Sequence, residues 1–226
     1  MKKLLSLSIM TLVGFAVMAQ PQVIAHRGFH ATKGSARNSI ASLKEAQKLG
    51  IFGSECDVNL TKDGETLVVH GSMHPDKQTK KDKKTKLIIE IKKHATPQRE
   101  TEIVKAVVDK VAEYGLQEQV EYIAFRPFVC EELKRIAPEG TKIAYLNGDY
   151  TPEYVAGMGL SGIDYKLSVL KKNPKWIKRA HKLGMTVNVW TVNKEEDLRW
   201  VIENGVDYIT TDNPVLAKKL IAEMCK

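Results

Sequence analysis

The sequence has no second long apolar run. After the first 19 of its 226 residues, no segment approaches the ~20 consecutive apolar residues that a membrane-spanning helix requires. No stable membrane insertion is therefore expected beyond that point. Cysteine is scarce: Cys56, Cys130 and Cys225 are an odd set at wide spacing, which argues against a disulfide framework. No CxxC pair is available for a zinc or redox site. No motif for base reading or base stacking is present either. The formal net charge of +8 is thus not read as nucleic-acid binding; an anionic small ligand or plain solubility suits it as well. The lysine-rich run at 77–86 reads as a solvated loop. Between Val69 and Leu87 no helix is readable, because GSMHPDKQTKKDKKTK carries no apolar stripe.

What is present begins with MKKLLSLSIMTLVGFAVMAQ. Two lysines precede a short apolar run from Leu4 to Ala16, and Val17-Met18-Ala19 supplies small residues at the end. That is the layout of a cleaved secretory signal. Cleavage is expected after Ala19, giving an exported protein, periplasmic or extracellular. Losing Lys2 and Lys3 lowers the formal charge from +8 to +6. Residues 20–226 suffice for one domain with a sizeable core.

Short apolar runs then alternate with helical patterns. Strands are expected at 23–25, 53–60, 87–91, 120–125, 142–145, 163–165, 186–190 and 206–210, with an extended return at 66–69 after the Lys62-Asp63-Gly64 turn. Helices are expected at 39–49, 97–114, 128–137, 152–158, 174–183, 194–204 and 214–224. Eight strands alternating with helices imply a parallel sheet. A doubly wound open sheet is one solution, but a (β/α)8 TIM barrel fits the count better, with the helix after the second strand missing or shortened. In such barrels the active site lies where strands end and βα loops begin.

The unusual polar residues fall at those places. The first strand runs into His26 and Arg27. The second carries Glu55 and Asp57 at i and i+2, hence on one face. The return ends at His70. The third holds Glu90 and Lys92, again at i and i+2. Buried carboxylates need compensating charge. Three of them suit a hard divalent cation, Mg²⁺ or Ca²⁺, and suit zinc less well. Two histidines suit proton transfer to and from oxygen. Arg27 and Lys92 suit a phosphate. Metal, base, acid and cations together describe phosphodiester cleavage.

IAHRG at 24–28, ECDVNLTKDG at 55–64, VVH at 68–70, IEIK at 89–92, VWTVN at 189–193 and ITTDNP at 209–214 resemble the glycerophosphodiester phosphodiesterase family in order and spacing. The resemblance implies a TIM barrel that hydrolyses glycerophosphodiesters, small-molecule substrates, to glycerol 3-phosphate and an alcohol. It implies Glu55, Asp57 and Glu90 as metal ligands, and His26 and His70 as general acid and base in either order. Arg27 and Lys92 would contact the phosphate, and Trp190 would line the pocket. Alternatives are a different phosphodiester, or a non-catalytic barrel that binds anionic ligands.

Three features depart from the family pattern. Where relatives carry Pro-Glu-Asn-Thr, this chain has Ala36-Arg37-Asn38-Ser39, so Arg37 either adds a phosphate contact or disturbs the metal network. Gly71 follows His70 in place of an acid. The insertion lobe after that histidine is shortened to 71–86, which implies a more open site. The sheet face left uncovered would favour a homodimer or lower stability.

Overall fold

In the computed structural model, which describes residues 20–70 and 85–225, the eight expected strands close into a barrel. The strands are β1 (Gln22–Ala25), β2 (Gly53–Leu60), β3 (Thr66–Val68), β4 (Lys86–Ile91), β5 (Val120–Ala124), β6 (Ile143–Tyr145), β7 (Gly162–Lys166), β8 (Thr186–Trp190) and β9 (Tyr208–Thr211). Their order is β1-β9-β8-β7-β6-β5-β4-β2, and parallel pairing of Ile24 with Gly53 closes the ring. Among the described strands only β3 is antiparallel; it hangs from the upper half of β2, with Val58 opposite Val68. The fold is thus the expected (β/α)8 TIM barrel rather than an open doubly wound sheet.

The helices are α1 (Ile40–Lys48), α2 (Pro97–Glu113), α3 (Pro127–Ile136), α4 (Pro152–Gly157), α5 (Leu167–Lys172), α6 (Lys175–Lys182), α7 (Glu195–Glu203) and α8 (Pro214–Met224). Their starts follow capping chemistry. Ser39, Thr96, Thr151 and Asn213 each accept a backbone N–H from the first turn of α1, α2, α4 and α8, and the last three precede a proline at the first helical position. The α2 helix buries Ile103, Val104, Val107, Val108 and Val111 on one face. Each such side chain stabilises by about 1.5–3 kcal/mol, which outweighs the weak helix propensity of valine.

Strand alternation divides the core in two. Ile24, Ile88, Ile123 and Leu146 point inward, with Phe52, Phe125, Trp190 and Tyr208 packed on them. Val23, Ala25, Ile89, Ile91, Ile163 and Tyr165 point outward into the larger layer beneath the helices. Two expectations lie outside the described residues: the signal segment at 1–19, and the missing or shortened helix within 71–84. The outer faces of β2 and β4, at Cys56, Val58, Leu87 and Ile89, wall a cavity of about 600 Å³ between α1 and α2. All three cysteines are free, as their spacing implied.

Candidate active site

The carboxyl end of β1 is where the chain departs most from ordinary backbone. Arg27 is left-handed at φ 55°, and Gly28 follows at φ 77°. A Cβ on Gly28 would lie 2.2 Å from Ser42 Oγ, so glycine is what lets α1 dock against this turn. The turn aims the Arg27 N–H at Glu55 Oε2, 2.8 Å away, and leaves the Arg27 guanidinium Nε 3.2 Å from Asp57 Oδ2. Asn38, also left-handed at φ 55°, locks Asp57 twice: its Nδ2 donates to Oδ2 at 2.9 Å, and its Oδ1 accepts the Asp57 N–H at 3.1 Å. Non-glycine residues in this region cost energy and cluster where a site over-determines them.

Strands β2 and β4 pair with Asp57 beside Glu90. Glu55, Asp57 and Glu90 are all buried, and each offers an oxygen within 4.8 Å of the others. Lys92 lies against this group, its Nζ 3.1 Å from Asp57 Oδ1 and 2.5 Å from Glu90 Oε1. The three acids differ electrostatically. Burial, then repulsion by Asp57 and Glu90, pushes the Glu55 carboxyl well above the usual range. Burial likewise pushes Glu90 up to about 7, against the pull of Lys92. Burial also works against Asp57 ionising, but the Asn38 hydrogen bond, Lys92 and Arg27 outweigh it and hold Asp57 low. Glu55 Oε1 is buried with no hydrogen-bond partner. An orphaned, charge-crowded oxygen beside two further carboxylates fits a hard divalent cation held by Glu55, Asp57 and Glu90.

His26 stands beside them, at the end of β1, the strand next to β2. Its Nδ1 is 2.9 Å from Asp212 Oδ1, just beyond β9. Asp212 is itself fixed: Asn193 Nδ2 donates to its Oδ2 at 2.8 Å, while Asn193 Oδ1 accepts the Asp212 N–H at 2.9 Å. The hydrogen bond from His26, with that from Asn193, holds the Asp212 carboxyl down at about 2. This geometry leaves His26 Nε2 as the nitrogen for the substrate. His70 follows β3, whose return is fastened where Asn59 Nδ2 donates to the Val69 carbonyl at 2.7 Å. It is exposed on the rim, and its imidazole is held below its ordinary range by desolvation and by the charges of Arg27, Lys92 and His26, with Asp57 opposing.

Trp190 closes the far wall. Its Nε1 donates to the Asp164 carbonyl at 2.9 Å, and Phe125 meets it edge-on at 5.6 Å. Arg37 lies in the connection between β1 and α1. Its Nε donates to His30 Nε2 at 3.1 Å, and among the described residues it makes no contact with the acid trio. His94, given no role from sequence, is structural: it accepts the Leu60 N–H at 3.1 Å and bonds the Lys92 carbonyl at 2.8 Å. His74 lies outside the described residues. Sequence reasoning assigned nothing to Asp212, Asn193 or His30. The motifs VWTVN and ITTDNP held the signal for the first two, as polar residues just past strand ends.

Acids, histidines and cations at the carboxyl ends of a TIM barrel define a hydrolase of phosphodiesters. Residues 26–74 and 74–216 match the Glycerophosphoryl diester phosphodiesterase family. A glycerophosphodiester phosphodiesterase of Caldanaerobacter subterraneus subsp. tengcongensis is 30% identical over 238 residues, covering 85% of this chain and 94% of its own. The crystal structure of a glycerophosphodiester phosphodiesterase from Parabacteroides distasonis is 35% identical, with a TM-score of 0.85 over 92% of this chain and 99% of that one. A phosphodiesterase from Oleispira antarctica, solved with its product sn-glycerol-3-phosphate, is 21% identical; its TM-score of 0.71, over 90% of this chain and 97% of that one, shows a shared fold. The chain belongs to the glycerophosphoryl diester phosphodiesterase family.

Proposed function

We propose that the protein hydrolyses glycerophosphodiesters to glycerol 3-phosphate and an alcohol. The observation that carries this reading is the buried trio of Glu55, Asp57 and Glu90, which offer oxygens within 4.8 Å of one another and leave Glu55 Oε1 without a hydrogen-bond partner, at the same mouth as the His26–Asp212 pair. The product bound in the Oleispira antarctica phosphodiesterase accords with it. A divalent cation, Mg²⁺ or Ca²⁺, held by the three acids would offset their charge and polarise the phosphoryl oxygens.

The remaining work falls to this chain's own groups. Arg27 and Lys92 hold the phosphate, Arg27 through its fork of donors and Lys92 as a point charge. His70, kept low and therefore neutral near pH 7, accepts the proton of the attacking water, whose oxygen bonds to phosphorus as the bond from phosphorus to the alcohol oxygen breaks. His26, oriented through Nδ1 by the Asp212 carboxylate, gives a proton from Nε2 to the departing oxygen. Trp190 lines the pocket. Export after cleavage near Ala19 belongs to the same reading, and so does a second copy of the chain over the cavity beside β2. Sedimentation as a monomer of ordinary thermal stability would rule that second copy out.

The test is to name the bond that breaks. Protein carrying Mg²⁺ or Ca²⁺ is incubated with glycerophosphocholine and with glycerophosphoethanolamine. Glycerol 3-phosphate plus the free alcohol is the expected outcome. Release of glycerol and phosphocholine would place the cleavage on the wrong side of phosphorus.

A further inference from the structure

Across the barrel from the acids stands a further cation, Lys166. The strand order sets β7 and β8 opposite β2 and β4. On β7, Asp164 points inward, bonded by Asn188 Nδ2 at 3.0 Å, and Tyr165 points outward into the helical layer. Alternation therefore returns Lys166, the last residue of β7, to the inner face one rung above Asp164. It stands in register with Trp190 and is exposed.

Four other cations near this end are engaged. Arg27 is beside Asp57, Lys92 beside Asp57 and Glu90, Arg37 against His30, and Arg126 beside Glu100. Lys166 has no hydrogen-bond or ion-pair partner among the described residues. Its neighbour Trp190 is fixed by the Asp164 carbonyl and by Phe125, so the wall beside the ammonium is rigid. An eight-stranded barrel is narrow enough that a long side chain reaches a ligand held on the opposite wall.

We infer that Lys166 is a specificity-determining residue that receives a negative charge on the alcohol half of the substrate, so that the protein favours phosphodiesters whose head group carries a carboxylate or a further phosphate. This rests on the proposed phosphodiesterase reading. With the reacting phosphate held by Arg27 and Lys92, the head group crosses the mouth over Trp190 and ends at the unpaired ammonium.

Glycerophosphoserine and glycerophosphoethanolamine differ by one carboxylate and make the matched probe. The ratio of kcat/KM for the first over the second is measured for the natural chain, for Lys166→Met and for Lys166→Arg. The ratio is expected to exceed one, to fall about five-fold in Lys166→Met through KM rather than kcat, and to return in Lys166→Arg. Added salt should shrink it in the natural chain and leave it level in Lys166→Met. A ratio that Lys166→Met does not move overturns the inference and leaves the phosphodiesterase reading intact. Should neither diester turn over, that reading fails instead. The same ratio is then taken from calorimetric binding of the two diesters, where equal affinities in all three proteins overturn the inference.

Discussion

At the scale of the residue, the site depends on side chains that hold other side chains in place. Asp212 is the clearest. Asn193 must point its amide nitrogen at Asp212 Oδ2, because its oxygen already accepts the Asp212 N–H. In Asp212→Asn, the new amide would keep its oxygen towards Asn193 and present its nitrogen to His26. Nδ1 would then have to accept, and the neutral ring's proton would move to Nε2, the wrong tautomer for a cycling acid. The expected result is a fall in kcat of about 10²-fold or more with KM little changed. Steady-state kinetics check it, and unaltered kcat would remove Asp212 from the mechanism. Of this layer, the sequence showed the acids and His26 and His70 because they sit on strands at i and i+2 or at strand ends. It did not show the His26–Asp212 pair, since 186 residues separate the two and only barrel closure brings them together. Arg37 was unreadable for a similar reason. Its partner His30 lies seven residues away in a loop whose path no periodicity sets.

At the scale of the element, the β1–α1 connection is the part most specified by backbone. Gly28 at φ 77° faces Ser42 Oγ and Cβ, both closer than 3.0 Å to where a Cβ would stand. Gly28→Ala must therefore displace α1 or refold the turn that aims Arg27 at Glu55. The expected cost is more than about 2 kcal/mol, with activity falling further than stability because the Arg27 N–H leaves the carboxylate. Urea denaturation beside an activity assay checks both; a loss within about 0.5 kcal/mol would contradict the packing argument. The elements themselves were largely legible. Strand positions followed from apolar runs, and the starts of α2, α4 and α8 from Thr-Pro or Asn-Pro pairs. Helix α5 was missed: six residues after β7, with Leu170 buried, are too few to show a helical period.

At the scale of the whole molecule, a charge inside the barrel sets a pH dependence that the active site does not need. Asp164 is fully enclosed, with Oδ1 unpartnered, and burial pushes its carboxyl up to about 8. Its pKa in the unfolded chain is about 3.9. A folded pKa raised above the unfolded value gives stability that is whole below the unfolded value and is lost as pH rises through the folded one. Stability should therefore decline between about pH 4 and pH 8 from this group. Asp164→Asn keeps an acceptor for Asn188 and removes the titration. It should gain more than about 1 kcal/mol on the natural chain at pH 8 relative to pH 5. Denaturant titrations at the two pH values read this directly, and parallel curves for the two proteins would contradict it. The central claim is that three buried carboxylates hold a cation on which hydrolysis depends. It is tested most directly by titrating chelator-stripped protein with Mg²⁺ or Ca²⁺ in a calorimeter while following glycerol 3-phosphate release from the same stock. The account predicts one bound cation, turnover rising in step with occupancy, and loss of both in Glu55→Gln. Full turnover by stripped protein, or cation binding untouched by Glu55→Gln, would contradict it.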